Sequence, residues 1–432
     1  MLEQKAKELG IKYFLVSFSD LFGTQRAKLV PAVAIREVCE NGAGFAGFAT
    51  WLDMTPADPD IFAVPAVESL VQLPWKREIG WLAADLHMNG EPLAQAPRNV
   101  LKRSLARLER QGYELRTGVE CEFFVVSPDG HSVADAQDSQ AKPCYDQQSL
   151  VRRYDLIAEI CDCMLELGWR PYQNDHEDAT GQFEINWAFA PALVTADRQA
   201  FFKYMVKSLA ERHGLRATFM PKPFDHLTGN GCHVHVSLWD REQGTNLFHS
   251  PQDEMGLTSL AYSFIGGLLH SADAVCALTN PTVNSYRRIN APVTSSGATW
   301  SPNVISYAGN NRTHMIRIPA PGRVELRLPD GAANPYLMAA AVAESGYDGI
   351  ANRRDPGPRL DANIYRDAAT AATLPMLPDN LLDALRALES NEILREGLGA
   401  KFTDSFVKLK RAEWRDYARF VSPWERQHTL DC

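Results

Sequence analysis

The sequence of 432 residues predicts a globular fold in which α-helices and β-strands are mixed. Hydrophobic residues make up 45% of the chain and charged residues 22%, so the chain can form a large core and is not disordered throughout. Several segments repeat apolar residues at helical spacing, whereas four others alternate strictly between polar and apolar residues. The length fits two or three domains, and it fits one large domain with a small one equally well.

The first hundred residues are expected to form a small unit. Residues 13–19 are rich in strand-forming side chains, and a stretch dense in glycine, phenylalanine and proline covers 41–65. Proline is favoured at the first position of a helix, so Pro97 predicts the start of a helix that continues over 99–111. We therefore expect a domain boundary near residues 96 and 97.

The later helices are predicted from apolar spacing. One pattern covers residues 150–164, and Gly168 is placed to end that helix. Further helical patterns cover 201–210 and 257–278, and the chain from Pro378 onward is mostly helical with charged faces.

Four strands are predicted between these helices, over residues 118–123, 182–187, 232–238 and 323–328. Successive side chains of a strand point to opposite sides, so each strand has one apolar face and one polar face. The polar faces contain Glu120, Glu122, Gln182, Glu184, Asn186, His233, His235, Ser237, Arg323, Glu325 and Arg327.

For any single strand, a polar face in contact with water explains this pattern. Such faces usually mix lysine, threonine, serine and glutamate. Three of these faces contain glutamate and one contains a His-x-His pair, which are ligand types for divalent cations. Carboxylates packed together repel one another unless a cation or an arginine compensates. Five arginines could compensate, or could instead bind anionic substrates: Arg288, Arg312, Arg317, Arg323 and Arg327.

Composition and motifs exclude several classes of function. The chain has 44 basic and 53 acidic residues, and its net charge of −9 argues against a general binder of nucleic acid or anionic membranes. It contains no P-loop, GxGxxG or GxSxG motif, and its eight cysteines form no CxxC motif. The stretch 255–272 is too polar for a membrane span, and no apolar leader is visible. We therefore expect a soluble, reduced, cytoplasmic protein.

An ordered set of motifs resembles the glutamine synthetase family. The motifs are HEDATGQFE at 176–184, FMPKP at 219–223, GCHVHVS at 231–237, NPTVNSY at 280–286, NR at 311–312, RVELRLPD at 323–330 and NPYL at 334–337. Each motif alone is weak, whereas the whole set in family order is specific. Within the family, HEDATGQFEIN, SSGATWSP and KRAEW at 410–414 are most similar to γ-glutamylmethylamide synthetases.

The resemblance implies an α+β fold with a small N-terminal β-grasp domain, residues 1–96, and a catalytic domain of antiparallel strands and flanking helices, residues 97–432. In this family ATP phosphorylates the γ-carboxylate of glutamate, and an amine then attacks the γ-glutamyl phosphate. The resemblance also implies Mg²⁺ or Mn²⁺ as cofactor and active sites between neighbouring subunits, commonly in a homododecamer. Neither nucleic acid nor membrane is an expected partner.

The resemblance also implies roles for individual residues. Glu122, Glu177 and Glu184 are predicted to bind a metal near the glutamate carboxylate, and Glu120, His233 and Glu325 a second metal on the ATP phosphates. The predicted nucleotide and phosphate contacts are His235, Ser237, Arg312 and Arg317. The predicted glutamate contacts are Arg288, Arg327 and the backbone of Gly229. The predicted catalytic residues are Arg312, Asp178 and Glu325.

The sequence departs from the family pattern at three places, of which the first changes a local loop and the other two concern the amine. The spacing from Glu177 to Glu184 is one residue shorter than in bacterial glutamine synthetases. The family's DGS motif, whose aspartate helps bind ammonium, is replaced by Ala46-Gly47-Phe48, and the flap glutamate falls at Trp300. Because apolar surface replaces carboxylates, Phe48 and Trp300 are predicted to bind the substrate amine, with methylamine the best fit.

The leading hypothesis is an ATP-dependent ligase that joins glutamate and methylamine into γ-glutamylmethylamide. The alternatives are a glutamine synthetase that uses ammonia, a ligase for larger amines, and an inactive structural member of the family. The six retained ligand residues argue against inactivity, because a carboxylate cluster costs stability. Asp175 and Asp178, on either side of Glu177, are candidate bases for the amine. Tyr365 lies where some relatives are adenylylated, although a packing role is more common for such a residue.

Overall fold

The computed structural model describes residues 1–296 and 298–432 and confirms the α+β fold class. A seven-stranded sheet lies within the first 96 residues, and a nine-stranded sheet lies in the rest. Buried hydrophobic residues of both parts form one continuous core. The division into domains at residue 96 therefore stays a prediction, although the two sheets are separate.

The elements of the first part are α1 (Leu2–Leu9), β1 (Tyr13–Ser19), β2 (Gln25–Pro31), α2 (Ile35–Asn41), β3 (Ala43–Phe45), β4 (Ile61–Pro65), β5 (Val71–Gln72), β6 (Ile79–Met88) and β7 (Glu91–Pro92). The strand order is β2-β1-β6-β4-β3, and β5 and β7 also pair with β6. Phe14, Val16 and Phe18 alternate along β1 and are buried, as expected of a strand with one face on the core.

The second part begins with the helix predicted at Pro97. Its first elements are α3 (Pro97–Glu109), β8 (Tyr113–Val126), α4 (Gln147–Arg152), α5 (Tyr154–Glu166), β9 (Pro171–His176), β10 (Gln182–Trp187), β11 (Ala190–Pro191), α6 (Ala192–Arg212), β12 (Arg216–Thr218) and β13 (Cys232–Asp240).

The remaining elements are α7 (Ser259–His270), α8 (Ala272–Thr279), α9 (Ser285–Ile289), β14 (Tyr307–Ala308), β15 (Ile316–Ala320), β16 (Arg323–Leu326), α10 (Pro335–Ala351), α11 (Ala368–Ala371), α12 (Leu381–Ser390), α13 (Glu392–Leu398), α14 (Ala400–Ala418) and α15 (Pro423–Thr429). The sheet order is β14-β15-β16-β13-β8-β10-β9, with β11 and β12 also paired to β8. Helix α10 is largely buried and packs against α3, α6 and α7.

The four predicted strands are confirmed as β8, β10, β13 and β16, although β16 ends at Leu326 rather than at residue 328. The prediction of one helix over 257–278 is wrong. The chain bends by 76° between α7 and α8, because α7 packs along α10 while α8 packs on α12. The helix predicted over 150–164 is likewise divided, into α4 and α5.

Within the part of the chain that the structure describes, no single helix is long and apolar enough to cross a membrane. The bent pair α7 and α8 satisfies length and composition only when the two helices are taken together.

Candidate active site

The nine-stranded sheet brings the predicted polar faces side by side. On β10, Glu184 lies opposite Glu122 of β8 and Asp175 of β9. Two residues away on β8, Glu120 lies opposite His233 of β13. The same polar side of the sheet continues onto β16, so acidic and imidazole groups from four strands meet in one region.

Glu120, His233 and Glu325 form one group that can hold a cation, with ligand atoms within 4.8 Å of one another. His233 Nδ1 lies 3.3 Å from Glu120 Oε2 and 3.8 Å from Glu325 Oε1. Its Nε2 is buried and has no hydrogen-bond partner among the described residues. Burial and the charge of Arg327 lower the pKa of His233, which favours the neutral imidazole that binds metals. These three residues are the predicted second metal group.

Two further groups overlap at Glu184. Glu122, Glu184 and His233 lie within 4.8 Å of one another, and so do Asp175, Glu177 and Glu184. The predicted first metal group is thus brought together through Glu184, which belongs to both sets. Asp175 joins it, although the sequence suggested that residue only as a base. Asp175 and Glu177 are two residues apart, and this spacing was an available signal that both carboxylates lie on one side of the chain.

These carboxylates lie close enough to repel one another when ionised, and a bound cation would relieve this repulsion. Burial and the neighbouring carboxylates raise the pKa values of Glu177 and Glu184 well above the usual range. Burial, Glu122 and Glu120 also raise the pKa of Asp175, to about 6. Carboxylate oxygens with one imidazole suit Mg²⁺ or Mn²⁺, so the residues present fit a divalent cation.

Arginines, in contrast, neutralise Glu325. Its fully buried carboxylate accepts hydrogen bonds from Arg327 Nη1 at 2.6 Å and from Arg317 Nη1 at 2.8 Å. Burial alone would raise the pKa of Glu325, but Arg327 and His233 lower it overall. Arg317 also donates to Asn310 Oδ1. Arg327 Nε is buried and has no partner in the described part of the chain, so this arginine keeps a donor for a ligand.

Arg288 and two glycines lie beside the metal groups. The Arg288 side chain is buried, and its Nη1 donates to the Leu328 carbonyl at 3.0 Å. A Cβ on Gly231 would lie 2.8 Å from His233 Nε2 and 3.0 Å from Arg288 Nη2, so a larger residue there would force these side chains to move. The Gly229 carbonyl accepts a hydrogen bond from Gln182, and a Cβ there would lie 2.4 Å from the Pro221 oxygen.

A cavity of about 450 Å³ opens next to Glu120 and contains the predicted nucleotide contacts His235 and Ser237. Trp239 also lines this cavity, and its Nε1 donates to Ser237 Oγ at 2.9 Å. The guanidinium of Arg116 lies 4.1 Å from the centre of the indole ring. The prediction missed Trp239, although the two-residue alternation of β13 continues to it.

Two predicted residues lie apart from these groups. Arg312 is exposed, and its carbonyl accepts a hydrogen bond from the Tyr365 hydroxyl at 3.3 Å. Phe48 lies on a 3₁₀ turn of the first part and is 49% exposed. Their assigned roles in phosphate binding, catalysis and amine binding stay predictions.

Asp178 connects the metal ligand region to Trp300. Its Oδ2 accepts hydrogen bonds from Thr228 Oγ1 at 2.7 Å and from Ser296 Oγ at 3.1 Å. Ser296 Oγ in turn accepts a hydrogen bond from Trp300 Nε1 at 3.1 Å. The sequence suggested Asp178 and Trp300 separately and missed the two hydroxyl residues, because no local pattern relates them. The motif residue Gly297, in the same segment, lies outside the described residues.

The model for the catalytic domain of glutamine synthetase matches residues 94–429. The chain belongs to the glutamine synthetase family. A glutamine synthetase from Rhizobium leguminosarum bv. phaseoli is 57% identical over 426 residues, which cover 99% of this chain and 98% of the relative. A glutamate–methylamine ligase from Methyloversatilis universalis is 43% identical over 438 residues, which cover 99% of this chain and 98% of the relative.

Among solved structures, a GmaS/ADP complex superimposes with a TM-score of 0.97 and 62% identity, and each chain is covered completely. A GmaS structure without ligand gives a TM-score of 0.95 and 60% identity, again with complete coverage of both chains. As a member of the glutamine synthetase family, the protein is an ATP-dependent ligase that joins glutamate to an amine. Enzymes of this family use divalent metals, and the acidic groups described above are suited to bind them.

Proposed function

We propose that the amine is methylamine, and that the enzyme converts glutamate, methylamine and ATP into γ-glutamylmethylamide, ADP and phosphate. A carboxylate is a poor electrophile, so transfer of the γ-phosphoryl group supplies a leaving group before the amine attacks the same carbon. Two divalent cations would neutralise phosphate charge and hold the reacting oxygens. This role suits the groups around Glu120 and Glu184, whose ligand atoms lie within 4.8 Å of one another, and the neighbouring carboxylates raise the pKa of Glu184.

The chain's own residues bind and orient the substrates in this proposal. Arg288 and Arg327 are buried and are the proposed contacts of the glutamate carboxylates, and Arg327 Nε has no hydrogen-bond partner among the described residues. His235 and Ser237 face the cavity proposed for nucleotide. Arg317, which donates a hydrogen bond to Glu325, is the proposed phosphate contact.

The observation that favours methylamine is the hydrogen-bonded path from Asp178 through Ser296 to Trp300. This path links an indole, rather than a carboxylate, to the residue next to the proposed metal ligand Glu177. Burying one methyl group against such a surface contributes about 0.8 kcal/mol by transfer and up to about 3 kcal/mol in a well-fitted pocket. The indole face can also attract methylammonium by a cation–π contact. Asp178 is the proposed base for the amine.

The second candidate is a glutamine synthetase that uses ammonia. The 57% identity to the Rhizobium glutamine synthetase favours it, whereas the similarity to the methylamine ligase and to the GmaS structures favours methylamine. We favour methylamine because the residues around Trp300 replace charge by apolar surface, from which ammonium gains nothing.

The test is a set of steady-state assays with ammonia, methylamine, ethylamine and a polyamine, with product masses read directly. We expect kcat/KM for methylamine to exceed that for ammonia by at least about tenfold. Trp300→Ala should reduce this preference more than it raises the KM for ATP, whereas Trp300→Phe should retain part of it. A wild-type preference for ammonia contradicts the proposal, and absence of turnover with every amine indicates an inactive family member.

We also propose that the enzyme is a homo-oligomer, expected to be a dodecamer, with sites completed between subunits. The exposed Phe48 supports this, because an aromatic side chain on the surface of the first part can complete the amine site of a neighbouring subunit. Light scattering over a dilution series tests it. Loss of activity as the assembly dissociates is expected, and a fully active monomer contradicts it.

A further inference from the structure

We propose that Ser296, Thr228 and Thr294 are positioning residues that tie the segment bearing Trp300 to the carboxylate of Asp178 and thereby set the selectivity for the amine. This inference rests on the proposed function. It concerns side chains to which neither the family motifs nor the predicted site assigned a role.

Three hydroxyl groups converge on one oxygen of Asp178. Thr228 Oγ1 lies 2.7 Å, Thr294 Oγ1 3.0 Å and Ser296 Oγ 3.1 Å from Asp178 Oδ2. Asp178 is 6% exposed, and its other oxygen, Oδ1, is buried without a hydrogen-bond partner in residues 1–296 and 298–432. Hydroxyl donors hold the carboxylate in one orientation and leave Oδ1 as its free acceptor.

The three donors come from two parts of the chain, and their acceptor comes from a third. Asp178 follows β9, Thr228 precedes β13, and the other two hydroxyls lie between α9 and β14. A single carboxylate therefore joins the connection between β9 and β10, the connection between β12 and β13, and the segment between α9 and β14. Loops are otherwise the least constrained parts of a fold, so a shared buried acceptor is an effective way to fix their relative positions.

The number of hydroxyl hydrogens ranks the contributions. Each hydroxyl donates one hydrogen, and the Ser296 hydrogen has two acceptors within reach, Asp178 Oδ2 at 3.1 Å and Thr294 Oγ1 at 2.8 Å. The Thr294 hydrogen has three acceptors within reach: Asp178 Oδ2, Ser296 Oγ and the Ala298 carbonyl, which lies 3.0 Å from Thr294 Oγ1. The contribution of Thr228 and Ser296 should therefore exceed that of Thr294.

Trp300 depends on this support because its backbone is strained. Its φ is +58°, in the left-handed region that a tryptophan rarely adopts, so local preference does not hold it there. The hydrogen bond to Ser296 links the indole to Asp178, and the Asp178 backbone N–H donates to Glu177 Oε2 at 3.0 Å. The indole is thus positioned relative to a predicted metal ligand through a continuous set of hydrogen bonds.

The consequence for the amine follows from its chemistry. Ammonium and methylammonium both offer N–H donors to Asp178 Oδ1, but only methylammonium has a methyl group for the indole to contact. Discrimination between them then depends on where Trp300 stands, and therefore on Ser296. Without the Ser296 hydroxyl, binding of ATP and glutamate remains while the preference for the methylated amine decreases.

The decisive experiment compares Ser296→Ala with Ser295→Ala. Ser295 is the adjacent residue, and its hydroxyl donates to the Ala141 carbonyl rather than to Asp178. We expect Ser296→Ala to lower the ratio of kcat/KM for methylamine over ammonia by about tenfold, with KM values for ATP and glutamate within about twofold. Ser295→Ala should leave the ratio unchanged.

Thr228 provides the second arm, because it is buried and its removal could impair folding. Thr228→Ser retains the hydroxyl and should keep the wild-type ratio, whereas Thr228→Val removes it and should lower the ratio. Equal effects of the serine and valine variants would show a packing role and overturn the inference. So would a methylamine preference that persists in Ser296→Ala. A wild-type preference for ammonia, in contrast, refutes the proposed function and this selectivity role with it.

Discussion

Replacing Gly231 by alanine tests whether the two metal groups and the glutamate region share one space. The added Cβ would lie 2.8 Å from His233 Nε2, 3.0 Å from Arg288 Nη2 and 3.0 Å from Glu122 Oε1. These atoms come from the predicted second metal group, the glutamate contact and the predicted first metal group. One methyl group therefore disturbs all three predicted functions and no distant part of the fold.

The size of the effect follows from these distances. Ordinary Cβ contacts begin near 3.4 Å, so the His233 ring would have to retreat about 0.6 Å and the other two groups about 0.4 Å. A misplacement of about 1 Å can cost about a hundredfold in rate, so we expect kcat to fall by between about 10-fold and 100-fold. Overpacking should lower the free energy of unfolding by about 1–3 kcal/mol.

The assay combines steady-state turnover, calorimetric titration with Mn²⁺ and thermal unfolding. Gly309→Ala is the matched control, because a Cβ there meets only Met255 Sδ, at 3.9 Å, and should leave activity within about twofold. Normal turnover and unchanged Mn²⁺ affinity in Gly231→Ala would refute the reasoning. A folded variant with weak metal binding and low turnover supports it.

Three further predictions concern charge. Chelation with EDTA should abolish activity, and Glu184→Gln should lower turnover at least about a hundredfold. Glu184→Gln should also raise the melting temperature of the metal-free protein, since it removes a buried group whose pKa is raised by burial and by neighbouring carboxylates. An active Glu184→Gln enzyme contradicts this prediction. Arg327→Lys keeps the charge beside Glu325 but loses the planar donors, so the KM for glutamate should rise about tenfold while the KM for ATP changes little. An unchanged KM for glutamate argues against Arg327 as a glutamate contact. Burial raises the pKa of Glu344 above its unfolded value, so the free energy of unfolding decreases as pH rises from about 4.3 through the folded pKa. Urea unfolding across this range should show a smaller decrease in Glu344→Gln than in the wild-type protein. Parallel curves of unfolding free energy against pH would contradict this prediction.

Much of the site could be predicted because strand alternation is a local property. The alternation of Glu120 with Cys121 and Glu122 already places both glutamates on one face of β8. The same reasoning applies to His233 and His235 on β13, and it would have reached Trp239 if extended by two residues. Apolar spacing likewise predicted most helices, while it could not show the bend between α7 and α8, which depends on packing against α10 and α12.

The sequence by itself determined the family, the α+β class, the polar strand faces and the residues on them, because motif order and side-chain alternation are written along the chain. The tertiary structure alone decided which faces meet, for example that Glu184 lies opposite Glu122, because strand register is set by pairing between distant segments. It also decided that Ser296 reaches Asp178 across 118 residues of sequence. Such a contact depends on how loops close over a finished sheet, and no periodicity within either segment encodes that closure.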